Sequence, residues 1–246
     1  MIKTNEARKN HLLGALPAED LQRWLPHLKA VDMPLGLVLY EAGTVLSHVY
    51  FPTTSIVSLL YVMQDGDSAE IAVVGNDGLL GISLFMGGGS TPSRALVQNA
   101  GKGFRVKAEF VKKEFEDSKN VLHLFLRYTQ ALITQMTQSA ACNKHHSLDQ
   151  QLCRWMLLTL DRHDGNQLSM TKQLIANMLG TDGETMRQGA RRLQEAGLIQ
   201  YAEGNITVLD RKGLEKHSCE CYGVVKDEYE RLLPATEWDS LGLSHA

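Results

Sequence analysis

Residues 169–201 read S-M-T-K-Q-L-I-A-N-M-L-G-T-D-G-E-T-M-R-Q-G-A-R-R-L-Q-E-A-G-L-I-Q-Y. Leu174, Ile175, Met178 and Leu179 fall on one face at helical spacing. Gly180 follows at once, where a residue tolerant of positive φ stops a helix in one step. Thr181 and Asp182 offer cap oxygens, and the helical spacing resumes with Met186, Ala190 and Leu193 until Gly197. The pattern predicts a helix-turn-helix, with Ala176 where the two helices cross and only a small side chain fits. The second helix turns Glu184, Thr185, Arg187, Gln188, Arg191 and Arg192 to solvent. Such a face can enter a major groove and bond to base edges and phosphates. Residues 198–201 and 206–209, joined around Gly204 and Asn205, read as a β-hairpin, which makes the motif a winged one.

Composition neither helps nor forbids a nucleic-acid partner. At 246 residues the chain has room for two domains. A hydrophobic content of 43% and a charged content of 22% are those of an ordinary globular protein. The net charge of −3 supplies no basic field. Within 169–201, Lys172, Arg187, Arg191 and Arg192 face Asp182, Glu184 and Glu195, so DNA contact must come from local placement of charge, with modest non-specific affinity. The cysteines are Cys142, Cys153, Cys219 and Cys221. No charged–apolar–small leader and no membrane-length apolar run is visible, so the expectation is a cytoplasmic protein with reduced thiols.

Outward from the motif, the pattern changes three times. Asn10 can cap a short helix ending near Leu16. Pro17 suits the first turn of a second, with Leu21, Trp24, Leu25 and Leu28 on one face and Pro26 ending it. From Val31 to about Lys107, short β-branched and aromatic runs alternate with glycine-centred turns, the pattern of a small antiparallel β-roll of the double-stranded β-helix or jelly-roll kind. A short helix over 108–115 precedes a longer one over about 118–145, on the order of 40 Å long. There Val121, Phe125, Tyr128, Leu132 and Met136 recur almost as in a coiled-coil seam. Leu122, Leu126 and Ile133 widen the apolar surface beyond what one small roll can cover. Self-association follows, with Val121, Phe125, Tyr128, Leu132 and Met136 as the expected dimer interface. Residues 143–147 read as a hinge. Ser147 and Gln150 form a capping box for a helix carrying Leu152, Trp155, Met156 and Leu160. Asp210 caps a final helix running to about Leu233. The fold class expected is α+β. Its parts are N-terminal helices and roll over 1–117, a dimerisation helix and hinge over 118–146, a winged helix-turn-helix with C-terminal helix over 147–233, and a loose tail over 234–246.

A β-roll, a long seam helix and a winged helix-turn-helix, in that order, resemble the Crp/Fnr family of bacterial transcription regulators. The resemblance is most specific over 171–199, where T-K-Q, A-x-x-x-G, G-E-T-M-R and L-Q-E-A-G-L-I fall at the family's spacing. N-H-L-L-G-A-L-P-A-E-D near the start and C-E-C-Y near the end resemble one branch of it. The resemblance implies a homodimer on a two-fold symmetric double-stranded DNA site, a signal-sensing roll and room for contact with RNA polymerase. It maps Thr171, Gln173 and Thr185 to phosphate contacts and Glu184 to a base-reading acceptor. Gly183 stands where the family has an arginine, and Gln188 replaces a second one. Arg187 stands one position earlier, about 100° round the helix. With Arg191 and the wing's Asn205 these make up the expected DNA-binding set.

For the sensor, the resemblance directs attention to Gly78, Leu79, Ser93, Arg94, Ala95 and Tyr128 as the effector pocket. Family members that bind cyclic AMP have a glutamate where Leu79 stands, and Arg94 is displaced by one residue, which in a strand reverses its face. Cyclic AMP is therefore not expected, and the effector is left open. Iron–sulfur members carry an N-terminal cysteine cluster that this chain lacks. Cys219-x-Cys221 is tighter than the usual zinc-knuckle spacing, and buried cysteine as a small hydrophobe is the commoner role. No metal site is assigned. A metal- or redox-responsive regulator using Cys142, Cys153, His145, His146 and the Cys219–Cys221 pair, or a haem-responsive one using His48, His123 or His145, is kept as an alternative.

An enzyme is not expected. A cupin-type metal site needs several histidines on facing strands, and the roll offers only His48. Gly87-Gly88-Gly89 lacks the lysine and hydroxyl of a phosphate-binding loop, and no nucleophile–base pair stands at recognisable spacing. The remaining rival is a dimeric protein-interaction module whose helix-turn-helix has lost DNA binding, favoured by the missing arginine and by Asp182 and Glu203.

Overall fold

The computed structural model describes residues 2–64, 66–163, 165–169, 175, 182–202 and 205–233. Helices α1 (Thr4–Ala7), α2 (His11–Gly14) and α3 (Ala18–Trp24) lead into strands β1 (Lys29–Met33), β2 (Val38–Tyr40), β3 (His48–Pro52), β4 (Ile56–Val62), β5 (Ser68–Val74), β6 (Arg94–Asn99) and β7 (Gly101–Lys107). Then come α4 (Ala108–Asp117), α5 (Lys119–His145), α6 (Leu148–Leu160), β8 (Gln167–Ser169), α7 (Gly183–Glu195), β9 (Ile199–Ala202), β10 (Asn205–Val208), α8 (Arg211–His217) and α9 (Glu220–Leu232). Among the described residues, no helix is long and apolar enough to cross a membrane.

The roll is made of two antiparallel sheets, ordered β1-β7-β3 and β2-β6-β4-β5. Both turn apolar side chains into one core, with Met33, Phe51, Phe104 and Val106 from the first and Val57, Leu59, Val74 and Val97 from the second. Pro52 ends β3, an edge strand, where a missing N–H costs no ladder bond. The N-terminal helices close the roll. Asn10 caps α2 as expected, its Oδ1 accepting from the Leu13 amide, while its Nδ2 donates to the Pro52 and Gly78 carbonyls at 2.8 Å each. Trp24 is fully buried and meets Phe51, Phe110 and Phe125 edge-on at 5.8, 5.3 and 5.6 Å. Such contacts add to the large burial an indole brings.

The long helix begins where the sequence places it, with the Ser118 side chain accepting from the Val121 amide. Its apolar seam has a different partner from the one expected. Val121, Phe125, Tyr128 and Leu132 are fully buried in the roll's own core, and Met136 packs against the same cluster. They are thus unavailable as a dimer interface. A 4-3-4 spacing marks a helix face buried along its length, whichever surface buries it. The apolar side chains left outside are Leu126, 47% exposed, and Ile133, 46% exposed, with Leu122 half-buried between them and the core. A further face of α5 lies along α9, where Gln130 donates to Glu228 and the Tyr229 hydroxyl to Gln135.

Helix α6 starts on the Ser147–Gln150 capping box and is buried continuously from Gln151 to Leu160. The reason is that it is covered on two sides. Ile56, Leu60 and Val73 of the roll pack on it, and so do Ile175, Met186, Ala190, Leu193, Ile199 and Ile206 of the C-terminal unit, all in one cluster. The wing has three strands, ordered β8-β10-β9, one more than the sequence suggested. The single C-terminal helix expected over 210–233 is two, because the chain runs extended at Ser218 and restarts at Cys219. Asp210 caps the first of them as expected, accepting from the Gly213 amide.

Candidate nucleic-acid interface

Helix α7 is built to present one polar face. Asp182 caps it, its Oδ1 accepting from the Glu184 and Thr185 amides at 2.9 and 2.8 Å and its Oδ2 from the Thr185 hydroxyl at 2.5 Å. Those donors hold the Asp182 carboxyl below its usual pKa. Met186, Gly189, Ala190 and Leu193 are buried beneath, while Glu184, Thr185, Arg187, Gln188 and Arg191 are exposed and Gly183 opens the helix half-buried. The described members of the expected DNA-binding set on this helix therefore share its solvent face. Asn205 is exposed at the start of β10, in register with Ser169 and Ala202. Thr171, Gln173, Ala176, Gly180, Thr181, Glu203 and Gly204 lie outside the described residues. Ile175 lies within them and is fully buried.

The charges on this face are paired along the helix. Arg187 forms an ion pair with Glu184, which also accepts from Gln188, and Arg191 pairs with Glu195 at 2.7 Å. Exposed pairs of this kind are worth ~0.2–1 kcal/mol, so a phosphate can displace them at little cost. Arg192 differs. Its Nε and Nη2 both donate to Asp149 of α6 at 2.7 Å, a forked contact that holds α7 against α6. Sequence reasoning placed Arg192 with the solvent-facing group, because nothing in its local spacing separates it from Arg191. Gly189 was missed altogether. A Cβ there would lie 2.9 Å from Leu152 and 3.2 Å from Asp149, so its lack of a side chain permits the close approach of the two helices. The wing is tied to the same helix by the Tyr201 amide, which donates to Gln194.

In the roll, Gly78, Leu79 and Tyr128 do meet, as packing. The Tyr128 hydroxyl donates to the Leu79 carbonyl at 2.8 Å, and a Cβ on Gly78 would fall 2.5 Å from that ring. Leu79 and Ala95 are fully buried in the roll's core and Ser93 is 5% exposed. Arg94 points elsewhere, to an ion pair with Glu41 at 2.7 Å. Leu79, Ala95 and Tyr128 thus belong to the roll's core, while Arg94 turns to Glu41 at the surface. The adjoining turn reaches the C-terminal unit, with Asp77 forming an ion pair with buried Arg162 at 2.8 Å.

The thiols gather at a second place. Cys142, Cys219 and Cys221 are buried together, and with His146 their ligand atoms all lie within 4.8 Å of one another. Cys153 and His145 are outside this set, as are His48 on β3 and His123 on α5. The cysteines are buried, as small hydrophobes are, and three of them stand together beside His146. The signal of this grouping in the sequence was split between two stretches more than seventy residues apart, Cys142 and Cys219 being separated by 77.

Comparison with known proteins agrees with this architecture. The Crp-like helix-turn-helix domain matches residues 150–217. No curated protein matches the chain. Among solved structures, one from Eubacterium rectale assigned to the Crp/Fnr family of transcriptional regulators is similar at TM-score 0.65 and 18% identity, covering 83% of this chain and 96% of that one. FixK2 from Bradyrhizobium japonicum is similar at TM-score 0.64 and 15% identity, covering 78% and 98%. CLP of Xanthomonas campestris, a c-di-GMP responsive global regulator, is similar at TM-score 0.63 and 16% identity, covering 79% and 100%. The chain carries a Crp-like helix-turn-helix domain, and its fold is that of the Crp/Fnr transcriptional regulators.

Proposed function

We propose that this protein is a homodimeric, sequence-specific DNA-binding regulator whose α7 helices read adjacent major grooves. The observation that carries the proposal is the face of α7. Five polar side chains, Glu184, Thr185, Arg187, Gln188 and Arg191, stand exposed on a helix fixed from below by Met186, Ala190, Leu193 and the Arg192–Asp149 fork. Glu184 and Gln188 are suited to base edges, Thr185 and Arg191 to phosphates, and Arg187 to either once Glu184 turns to a base. Dimerisation would use the outer strip of α5, Leu122, Leu126 and Ile133, in place of the buried seam. The corresponding division is a roll ending near residue 117, a connecting helix to residue 146, and a DNA-binding unit from residue 147. No enzymatic role is proposed, and RNA polymerase is a candidate partner of the bound dimer.

The effector is not proposed to be cyclic AMP. Leu79 offers no acceptor for a ribose hydroxyl and is buried, and Arg94 is held by Glu41. The test of DNA binding is retention on duplex DNA as a function of salt. Retention should fall steeply with ionic strength, and Arg187→Ala with Arg191→Ala should weaken it and flatten the salt slope by about two contacts. Unchanged retention in that double variant would favour the second reading, an interaction module. That reading has one observation behind it, the neutralisation of Arg187 and Arg191 by acids of the same helix.

A further inference from the structure

Cys142 lies in the last turn of α5, and His146 is the residue that ends that helix. Cys219 is the N-cap of α9, with Cys221 in its first turn. The break between α8 and α9 thus sets two sulfurs against a sulfur and an imidazole at the hinge. The Cys142 and Cys219 sulfurs are 3.5 Å apart. Cys221 Sγ is 3.6 Å from His146 Nδ1. A tetrahedral ion holding thiolates at ~2.3 Å and imidazole at ~2.1 Å requires sulfur–sulfur distances of about 3.8 Å and sulfur–nitrogen distances of about 3.5 Å. The set is therefore close to the size of a single four-coordinate ion. A four-iron cluster spreads its ligands over the outer corners of a cube, which is wider than this.

The surroundings fit as well. His146 Nε2 is 3.3 Å from Glu220 Oε2, so the carboxylate can fix the ring with its proton on Nε2 and leave Nδ1 to coordinate. Arg154 is buried nearby. One of its nitrogens donates to Ser139, and its Nε has no hydrogen-bond partner among the described residues. Three thiolates and a neutral imidazole around a divalent ion leave one negative charge, which this guanidinium balances.

We propose that Cys142, His146, Cys219 and Cys221 bind one divalent cation of the zinc class through three sulfurs and Nδ1. On binding, the three S–H bonds break and three metal–sulfur bonds and one metal–nitrogen bond form. The three protons pass to solvent and no electron moves. The ion joins the end of α5 to the start of α9 across the turn into α6. It therefore fixes the direction of the C-terminal unit against the long helix. A consequence for DNA binding rests on the function proposed above, whereas the site itself does not.

The test is metal analysis of the full chain purified anaerobically without chelator, followed by cobalt(II) exchange. About one zinc per chain is expected, with cobalt giving the visible bands and thiolate charge-transfer of a tetrahedral site. Adding zinc to the stripped protein should release protons. Cys219→Ser and Cys221→Ser should lose the ion, Cys153→Ala should keep it, and Glu220→Gln should weaken affinity about 10-fold or more. Metal below about a tenth of an equivalent with no tetrahedral cobalt spectrum overturns the proposal. So does a Cys142–Cys219 disulfide in protein that takes up no zinc after reduction. Both readouts use the unmodified chain, so a variant that fails to fold does not blur the result. Retention on DNA, measured on the same zinc-loaded sample, tests the regulator reading separately.

Discussion

Glu70 illustrates how a single side chain ties stability to pH. Its Oε2 is buried without a hydrogen-bond partner among the described residues, and desolvation raises its pKa from 4.5 to about 7 despite the Ser58 hydroxyl and the Arg154 and Arg162 charges nearby. Between those two values the folded chain keeps a proton that the unfolded chain has lost. The stability from this group is thus fully present below the unfolded pKa and is lost as pH rises through the folded one. Urea denaturation should show the wild type weakening by up to about 1.4 kcal/mol per pH unit between pH 5 and 7, with Glu70→Gln flatter over that window. Parallel curves for the two proteins would contradict the assignment. No pattern rule marks Glu70, which sits in a strand among alternating neighbours and differs only in what covers it. Gly78 is a similar case. The sequence reads it as a turn glycine, while the structure needs it for room, because the Tyr128 ring occupies the place of a Cβ. Caps were legible because they act locally. Asn10, Ser118, Ser147, Asp182 and Asp210 all receive the amides their positions predict.

At the scale of elements, the order of helices and strands could be read from the sequence, and the partners of their faces could not. Helix α5 carries enough apolar surface for two faces, as its composition implies. Periodicity alone does not tell which face meets the chain's own roll. With the Tyr128 face in the core, the exposed strip gives a specific prediction. Leu126→Asp with Ile133→Asp should convert the proposed dimer to a monomer in sedimentation, with thermal stability of the monomer nearly unchanged, since both side chains are about half exposed. A dimer that survives both charges would remove this strip from the account. The break between α8 and α9 was equally hidden, because neither glycine nor proline marks it.

The whole molecule is held together by contacts that cross its units. Ile56, Leu60 and Val73 of the roll share a cluster with Trp155 and Met156 of α6, and Gln98 of β6 donates to Thr159. The turn around Asp77 gathers several of them. Its neighbours receive Asn10 from the N-terminal helices and Tyr128 from α5, and Asp77 itself holds Arg162, which lies over the Tyr229 ring at 4.8 Å. Asp77→Ala leaves that guanidinium buried without its counter-charge. A loss of about 3 kcal/mol in chemical denaturation is expected, against well under 1 kcal/mol if the pair is in effect solvated. Such long-range contacts have no signature in local spacing, which is why the junction was not legible in the sequence.

The central claim is that two copies present α7 to DNA as paired readers. Selection of binding sites from random duplexes with the full-length protein tests it most directly. The expected result is an inverted repeat whose half-sites are about one duplex turn, ~34 Å, apart, with protection of both halves lost in Arg187→Ala plus Arg191→Ala. Recovery of no common site, or of a single unpaired half-site bound equally by that variant, would contradict it.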